Sequence, residues 1–403
     1  MDFFRDTQEI DSKKIYQVQA LYNTDTTLEF LIQPDRDFVF PNEIFLNFAF
    51  EIDKNYLVDH QADKLFDSVE VIVNNEKISS RSNSNEYFLS SFFKTKANYG
   101  PHHCRTVLKP AGWFGPMNLD ADPIKNQASK AVINDRSGSL LKDGSNNLIS
   151  RKYYVSMQIN SSLFQQFKPL PSNVTININF KRAKPQMFLL KITDEVDTTY
   201  DSSQIAILNP VLEVTSVSSE KLRKRMQHAE KLEYPIQDGV IRTHVIDDGL
   251  THVRFNATSG GQLPTQIFTA LMKPEAFYGS FAYSATNFRA HDARKIELFV
   301  DNKALPGSQI NISTENTMEA FTKFYRQCKL ITNPYGDSSL PPSEFVDSNF
   351  MTAYDLSNTG LHSGWLTVDI DFHSTTSEKL MLIVYMVYEK TITFAKDGVV
   401  TMS

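Results

Sequence analysis

Cysteine is nearly absent: the 403 residues hold two, Cys104 and Cys328. Two thiols do not make a disulfide framework, and they fit a reducing compartment better than an oxidising one. No apolar run approaches the roughly 18 residues of a membrane helix. The opening Met-Asp-Phe-Phe-Arg-Asp has no apolar stretch behind positive charge. Neither a membrane span nor a secretory signal is therefore expected. Without secretion, the glycosylation patterns at Asn173, Asn256 and Asn311 are coincidences. A basic excess is missing too. The formal net charge is −6, so no global field draws the chain onto nucleic acid. Gly-x-Ser-x-Gly, Gly-x-x-x-x-Gly-Lys and Gly-x-Gly-x-x-Gly are all lacking. Nothing supports catalysis, and the chain reads as a non-enzyme.

The chemical groups that remain are sparse. His102-His103-Cys104 has metal-ligand residue types, but neighbours on an extended chain point to opposite sides, and no second cluster is spaced to join them. Asp120 and Asp122 share a face if extended, where a hard cation could sit; in Leu-Asp-Ala-Asp-Pro they read better as turn residues. Asp369, Asp371 and His373 line one face of an alternating strand. They look like an acid–base set, although alternation alone explains them as a solvated face. Lys221, Arg223, Lys224 and Arg225 form a basic cluster that could meet nucleic acid or serve as an import signal. Glu220, Glu230 and Glu233 beside them favour a solvated helix or a salt-bridged contact between subunits. No catalytic residue, cofactor or metal is expected.

What the chain has is aromatic residues, 29 Phe and 16 Tyr, and these suit pleated, half-buried surfaces. Val69, Val71 and Val73 alternate with polar residues, Asn74-Asn75 supplies a turn, and an aromatic helical patch follows from Asn85 to Tyr99. The plan recurs 227 residues later: Ile296, Leu298 and Val300 alternate, Asp301-Asn302 turns, and a helical patch runs from about Thr314 to Tyr325. Strand, turn, return and helix in one register imply an internal duplication. Short strand patterns fill both halves. The expectation is all-β: two tandem eight-stranded jelly-roll sandwiches with short inserted helices. The boundaries are a mobile arm at 1–14, a first jelly roll at 15–193, a polar linker at 194–204, a second at 205–396 and a tail at 397–403. Val174–Phe180 and Leu380–Val387 are read as the closing strands of the halves. Ile72 and Phe299 stand at outward positions 227 residues apart, so something covers that face, either the adjacent helix or another subunit. The irregular stretch 102–148 wraps a sheet or reaches a neighbour.

The sequence resembles double jelly-roll capsid proteins of the Polinton (Maverick) and adintovirus type. The resemblance rests on Leu65-Phe66-Asp67-Ser68-Val69-Glu70-Val71 with its Asn turn and aromatic helix. It rests also on Ser162 to Pro171 leading into Asn173–Phe180, on Tyr234-Pro235-Ile236 with Phe277-Tyr278-Gly279-Ser280 and Asn287-Phe288, and on Ile296 to Gly307 before the second aromatic helix. The resemblance implies a major capsid protein in the virion. It implies a homotrimer forming a pseudo-hexameric capsomer, icosahedral tiling, and as partners neighbouring capsomers, a penton protein and, weakly, packaged nucleic acid. Synthesis in the host cytoplasm or nucleus follows. A minor capsid component and a lectin-like β-sandwich binding module are the alternatives; a hydrolase on such a scaffold is a third.

Overall fold

The structure is a computed structural model. It describes residues 10–33, 37–53, 56–58, 62–80, 85–100, 102–103, 106, 108–113, 139–142, 144–146, 148–191, 205–313, 317–328, 345–396 and 398–403.

Among the described residues, two sandwiches are built on sixteen principal strands. In chain order the first eight are β1 (Ser12–Gln19), β2 (Thr27–Ile32), β3 (Phe38–Asp53), β4 (Phe66–Val73), β5 (Glu76–Ser80), β6 (Leu148–Gln158), β7 (Ile176–Arg182) and β8 (Ile207–Ser218). Helix α1 (Glu86–Asn98) lies between β5 and β6. Helix α2 (Glu220–His228) leads to the second set. That set is β9 (Lys231–Ile246), β10 (His252–Asn256), β11 (Gln266–Met272), β12 (Ala293–Val300), β13 (Lys303–Ala304), β14 (Met351–Asp355), β15 (Leu366–Phe372) and β16 (Leu380–Ala395), with helix α3 (Thr317–Gln327) between β13 and β14.

The first sandwich pairs sheet β1-β8-β3-β6 with sheet β2-β7-β4-β5. The second pairs β9-β16-β11-β14 with β10-β15-β12-β13; short strands extend several of these edges. Adding eight to each strand number of the first sandwich gives the second. The pairings inside these sheets are antiparallel. The duplication inferred from one hairpin therefore runs through the whole chain. At its centre the match is residue for residue: β4 and β12 are 227 apart at both ends, and their turns carry positive φ at Asn74, Asn75, Asp301 and Asn302. Two consecutive left-handed residues match the twist of the flanking strands, and Asn and Asp tolerate them.

The boundaries differ from the expected ones. β8, assigned by sequence to the second unit, hydrogen-bonds between β1 and β3 and closes the first sandwich. β7, which holds Ile176–Phe180, is the counterpart of β15 and not of β16. The expected linker, 194–204, lies outside the described residues; the passage from one sandwich to the other runs through α2. The expected arm is shorter as well. Residues 1–9 are outside the described residues, but Ser12, Lys13 and Lys14 already pair with Ser218, Val217 and Ser216. Polar side chains on an edge strand gave no alternation to read. Two strands were not anticipated. Pro235 and Gly239 interrupt the β9 pattern, yet β9 is an edge strand of its sheet, where proline is tolerated. β14 is buried on both faces and has no alternation.

Candidate functional site

The seam between the sandwiches is built on α1. Phe92-Phe93 and Tyr87-Phe88 give this helix aromatic residues on more than one face, the mark of a helix covered all round. Eleven of its residues, Glu86 to Phe93 and Thr95 to Ala97, are buried. One side rests on its own sandwich, where Tyr87 meets Phe66 edge-on at 6.5 Å. The other side enters the second sandwich. The Phe93 ring stacks on Phe288 at 5.5 Å and Tyr385 at 5.6 Å, and meets Phe268 at 5.9 Å. Phe268 and Tyr385 are register partners on β11 and β16. Gly239 makes room for them, since a Cβ there would collide with the Tyr385 ring.

Hydrogen bonds close the seam around these rings. The Ile241 backbone N–H donates to the buried Glu86 Oε1 at 2.9 Å. Asn85 Nδ2 donates to the Phe277 carbonyl at 2.6 Å and Ser162 Oγ to that of Gln237 at 2.7 Å. The Tyr234 hydroxyl donates to the Pro169 carbonyl at 2.8 Å, and burial pushes its pKa up. Lys64, fully buried, donates to Thr286 Oγ1 at 3.0 Å. Glu86, Gly239 and Tyr385 were not singled out from the sequence, and Phe93 was read only as one aromatic of the helical patch, because their meaning lies in a contact across some 150 to 300 residues.

The second notable group is the outer face of sheet β10-β15-β12-β13. Here Asp369 and Asp371 of β15 are joined by His252 of β10, its register partner. His252 Nδ1 lies 2.8 Å from Asp371 Oδ1 and its Nε2 3.5 Å from Asp369 Oδ2. The sequence paired the aspartates with His373; that ring instead faces the Ile312 carbonyl at 3.2 Å. Asp369 is also no solvated residue, being only 5% exposed. Burial raises its pKa, while the His252 hydrogen bond lowers that of Asp371.

His252, Asp369 and Asp371 bring ligand atoms within 4.8 Å of one another. Cations already occupy the carboxylates: Lys295 Nζ is 3.2 Å and Arg294 Nη2 3.3 Å from Asp371 Oδ2, and Arg254 attracts Asp369. A divalent ion would have to displace them. The arrangement is an ion-pair network on a sheet face, and the two cavities of about 400 Å³ that flank α2 lie elsewhere.

The other sequence candidates are scattered. His102 and His103 are exposed in a helical turn; Cys104, Asp120 and Asp122 lie outside the described residues. Lys221, Arg223, Lys224 and Arg225 sit on α2, capped by Ser219 Oγ, with Glu220 pairing Arg223 at 2.8 Å and Lys224 at 3.8 Å. Ile72 and Phe299 are both half-buried. The Arg254 guanidinium lies over the Phe299 ring, 4.8 Å from its centre.

Comparison with known proteins places this geometry. No family model matches the chain. A curated Caenorhabditis elegans protein, the uncharacterized F54H12.2, is 22% identical over 270 residues, covering 66% of this chain and 61% of the relative. The matched region thus spans less than two thirds of that relative. Among solved structures, a chain of the Sputnik virophage superposes with a TM-score of 0.69 at 11% identity, over 99% of this chain and 90% of the other. The fold is the double jelly roll. The mavirus major capsid protein matches with a TM-score of 0.57 at 10% identity over 99% and 93% of the two chains. The Faustovirus major capsid protein matches at 0.54 and 7% over 94% and 90%. The double jelly roll is therefore shared from end to end with capsid proteins of virophages and giant viruses.

Proposed function

We propose that this chain is a structural, non-enzymatic major capsid protein of the Polinton/adintovirus type. Three copies form a pseudo-hexameric capsomer, and capsomers tile an icosahedral shell. The observation that carries this reading is the strand-for-strand equivalence of the two sandwiches within a fold shared with the mavirus and Faustovirus major capsid proteins. Two like units per chain let three chains present six similar edges. The order of the motifs along the sequence supports the lineage. Neighbouring capsomers and a penton protein are the partners of this reading, and the virion is its location. Among the described residues no helix is long and apolar enough to cross a membrane. Purified protein examined by light scattering and negative-stain microscopy tests the proposal. A stable trimer with hexagonal arrays or cages is expected. A monomer at every concentration, or a dimer, would overturn it.

A further inference from the structure

Within one chain, the face of β9-β16-β11-β14 that carries Phe268 and Tyr385 is covered by α1 of the first sandwich. The duplication supplies the same two parts again, each with exposed apolar side chains among the described residues. The counterpart of α1 is α3, of which only Ala320 and Phe324 are buried. Its outer side presents Met318, 53% exposed, with Arg326 also exposed. The counterpart of the covered sheet is β1-β8-β3-β6. Strand alternation puts Ile15, Phe45 and Tyr154 on its outer face, at 61%, 36% and 69% exposed. Gln17, Glu213, Phe45 and Gln158 form one cross-strand row there, as Ile241, Tyr385, Phe268 and Ala353 do under α1.

We infer that α3 of one copy docks on the Ile15–Phe45–Tyr154 face of the next copy, repeating between chains the seam that α1 makes within one. The inference rests on the trimer reading and names the surfaces that meet. The partner is a second copy of this chain because the ligand part and the receptor part both occur in it, at matching places in a repeated plan. The contact is heterologous: helix on one side, sheet on the other. Such a contact closes only if its rotation divides the circle. A ring of three chains, with intrachain and interchain seams alternating, requires each seam to turn the next sandwich by about one sixth of a circle.

The test uses the full chain. Tyr154→Asp and Met318→Asp each place a charge in the seam. Both are expected to give folded monomers in sedimentation, with the far-UV circular dichroism of the parent chain, whereas Trp365→Asp, next to the other sheet, leaves the trimer intact. A second measurement covers misfolding. In a Cys104→Ser/Cys328→Ser background, Tyr154→Cys and Met318→Cys chains are co-expressed and treated with a bismaleimide. Cross-linked dimers are expected only when both variants are present. A trimer that survives both charges, or cross-links formed by either variant alone, would overturn the assigned surfaces while leaving the trimer standing. A parent chain that is monomeric would overturn the reading beneath them.

Discussion

Asp369 and Asp371 show how two like residues on one strand face come to oppose each other. The folded state lowers the Asp371 pKa through His252 and Lys295, and raises that of Asp369 by burial. Ionised Asp371 therefore stabilises the fold above the ordinary Asp value of 3.8, and that contribution disappears as pH falls through its lower folded value. Asp369 has the reverse sign. It favours the fold when protonated, and that advantage is lost as pH rises through its folded value. Urea midpoints between about pH 3 and pH 7 distinguish the two. Asp371→Asn should be destabilised most at pH 7, with the deficit shrinking in acid. Asp369→Asn should improve relative to the parent as pH rises. Deficits that do not change with pH would mean that neither carboxylate has a shifted pKa. Position on the strand was legible in the alternating sequence. The burial of Asp369 was not, since it depends on Arg254 and His252 arriving from β10.

The β4–β5 and β12–β13 hairpins show what the element scale makes visible. Alternation and an Asn or Asp pair are local signals, and both hairpins form where they were expected, as do α1 and β15. The misplaced elements share one cause, which is that their reasons are not local. β8 reads as the start of something new after a polar stretch, but is drawn back into the first sandwich by β1 and β3. β9 carries a proline and a glycine that are tolerated because of what lies beside the strand. The seam was illegible for the same reason: Phe92-Phe93 looks like any aromatic helix until Tyr385 is placed against it. The turns allow a direct test. Asn75 and Asn302 have φ of 70° and 63°, a region that costs a β-branched residue roughly 1–2 kcal/mol. Asn75→Val and Asn302→Val should each lose stability by about that amount in denaturant titrations, whereas Asn75→Gly and Asn302→Gly should be neutral or better. Equal tolerance of Val and Gly would show that these turns are not held left-handed.

At the scale of the whole molecule, the question is whether two sandwiches behave as two domains or one. Apart from a small separate cluster of Phe38, Val217 and Leu222 beside α2, their buried apolar residues among those described form one continuous cluster from Leu28 to Val400, with Phe93 at the junction. A core shared across the seam couples the halves, because neither can open without exposing rings belonging to both. The two tryptophans are placed to read this. Trp113 is buried and stacked on Phe92 at 5.8 Å, while Trp365 lies on the second sandwich beside the Asp301 turn. With Trp365→Phe the tryptophan emission, excited selectively over tyrosine, comes only from the first half, and with Trp113→Phe only from the second. Both probes should report one urea midpoint at a fixed protein concentration. Phe93→Ala removes a ring packed among Phe268, Phe288 and Tyr385, a change of a class that costs about 3–5 kcal/mol. The two midpoints should then separate, with the more stable half keeping a value near the original. If the probes already disagree in the parent chain, the seam does not couple the sandwiches. If they still coincide after Phe93→Ala, the coupling runs through the hydrogen bonds of Glu86, Ser162 and Tyr234, and the aromatic cluster is not what joins the halves.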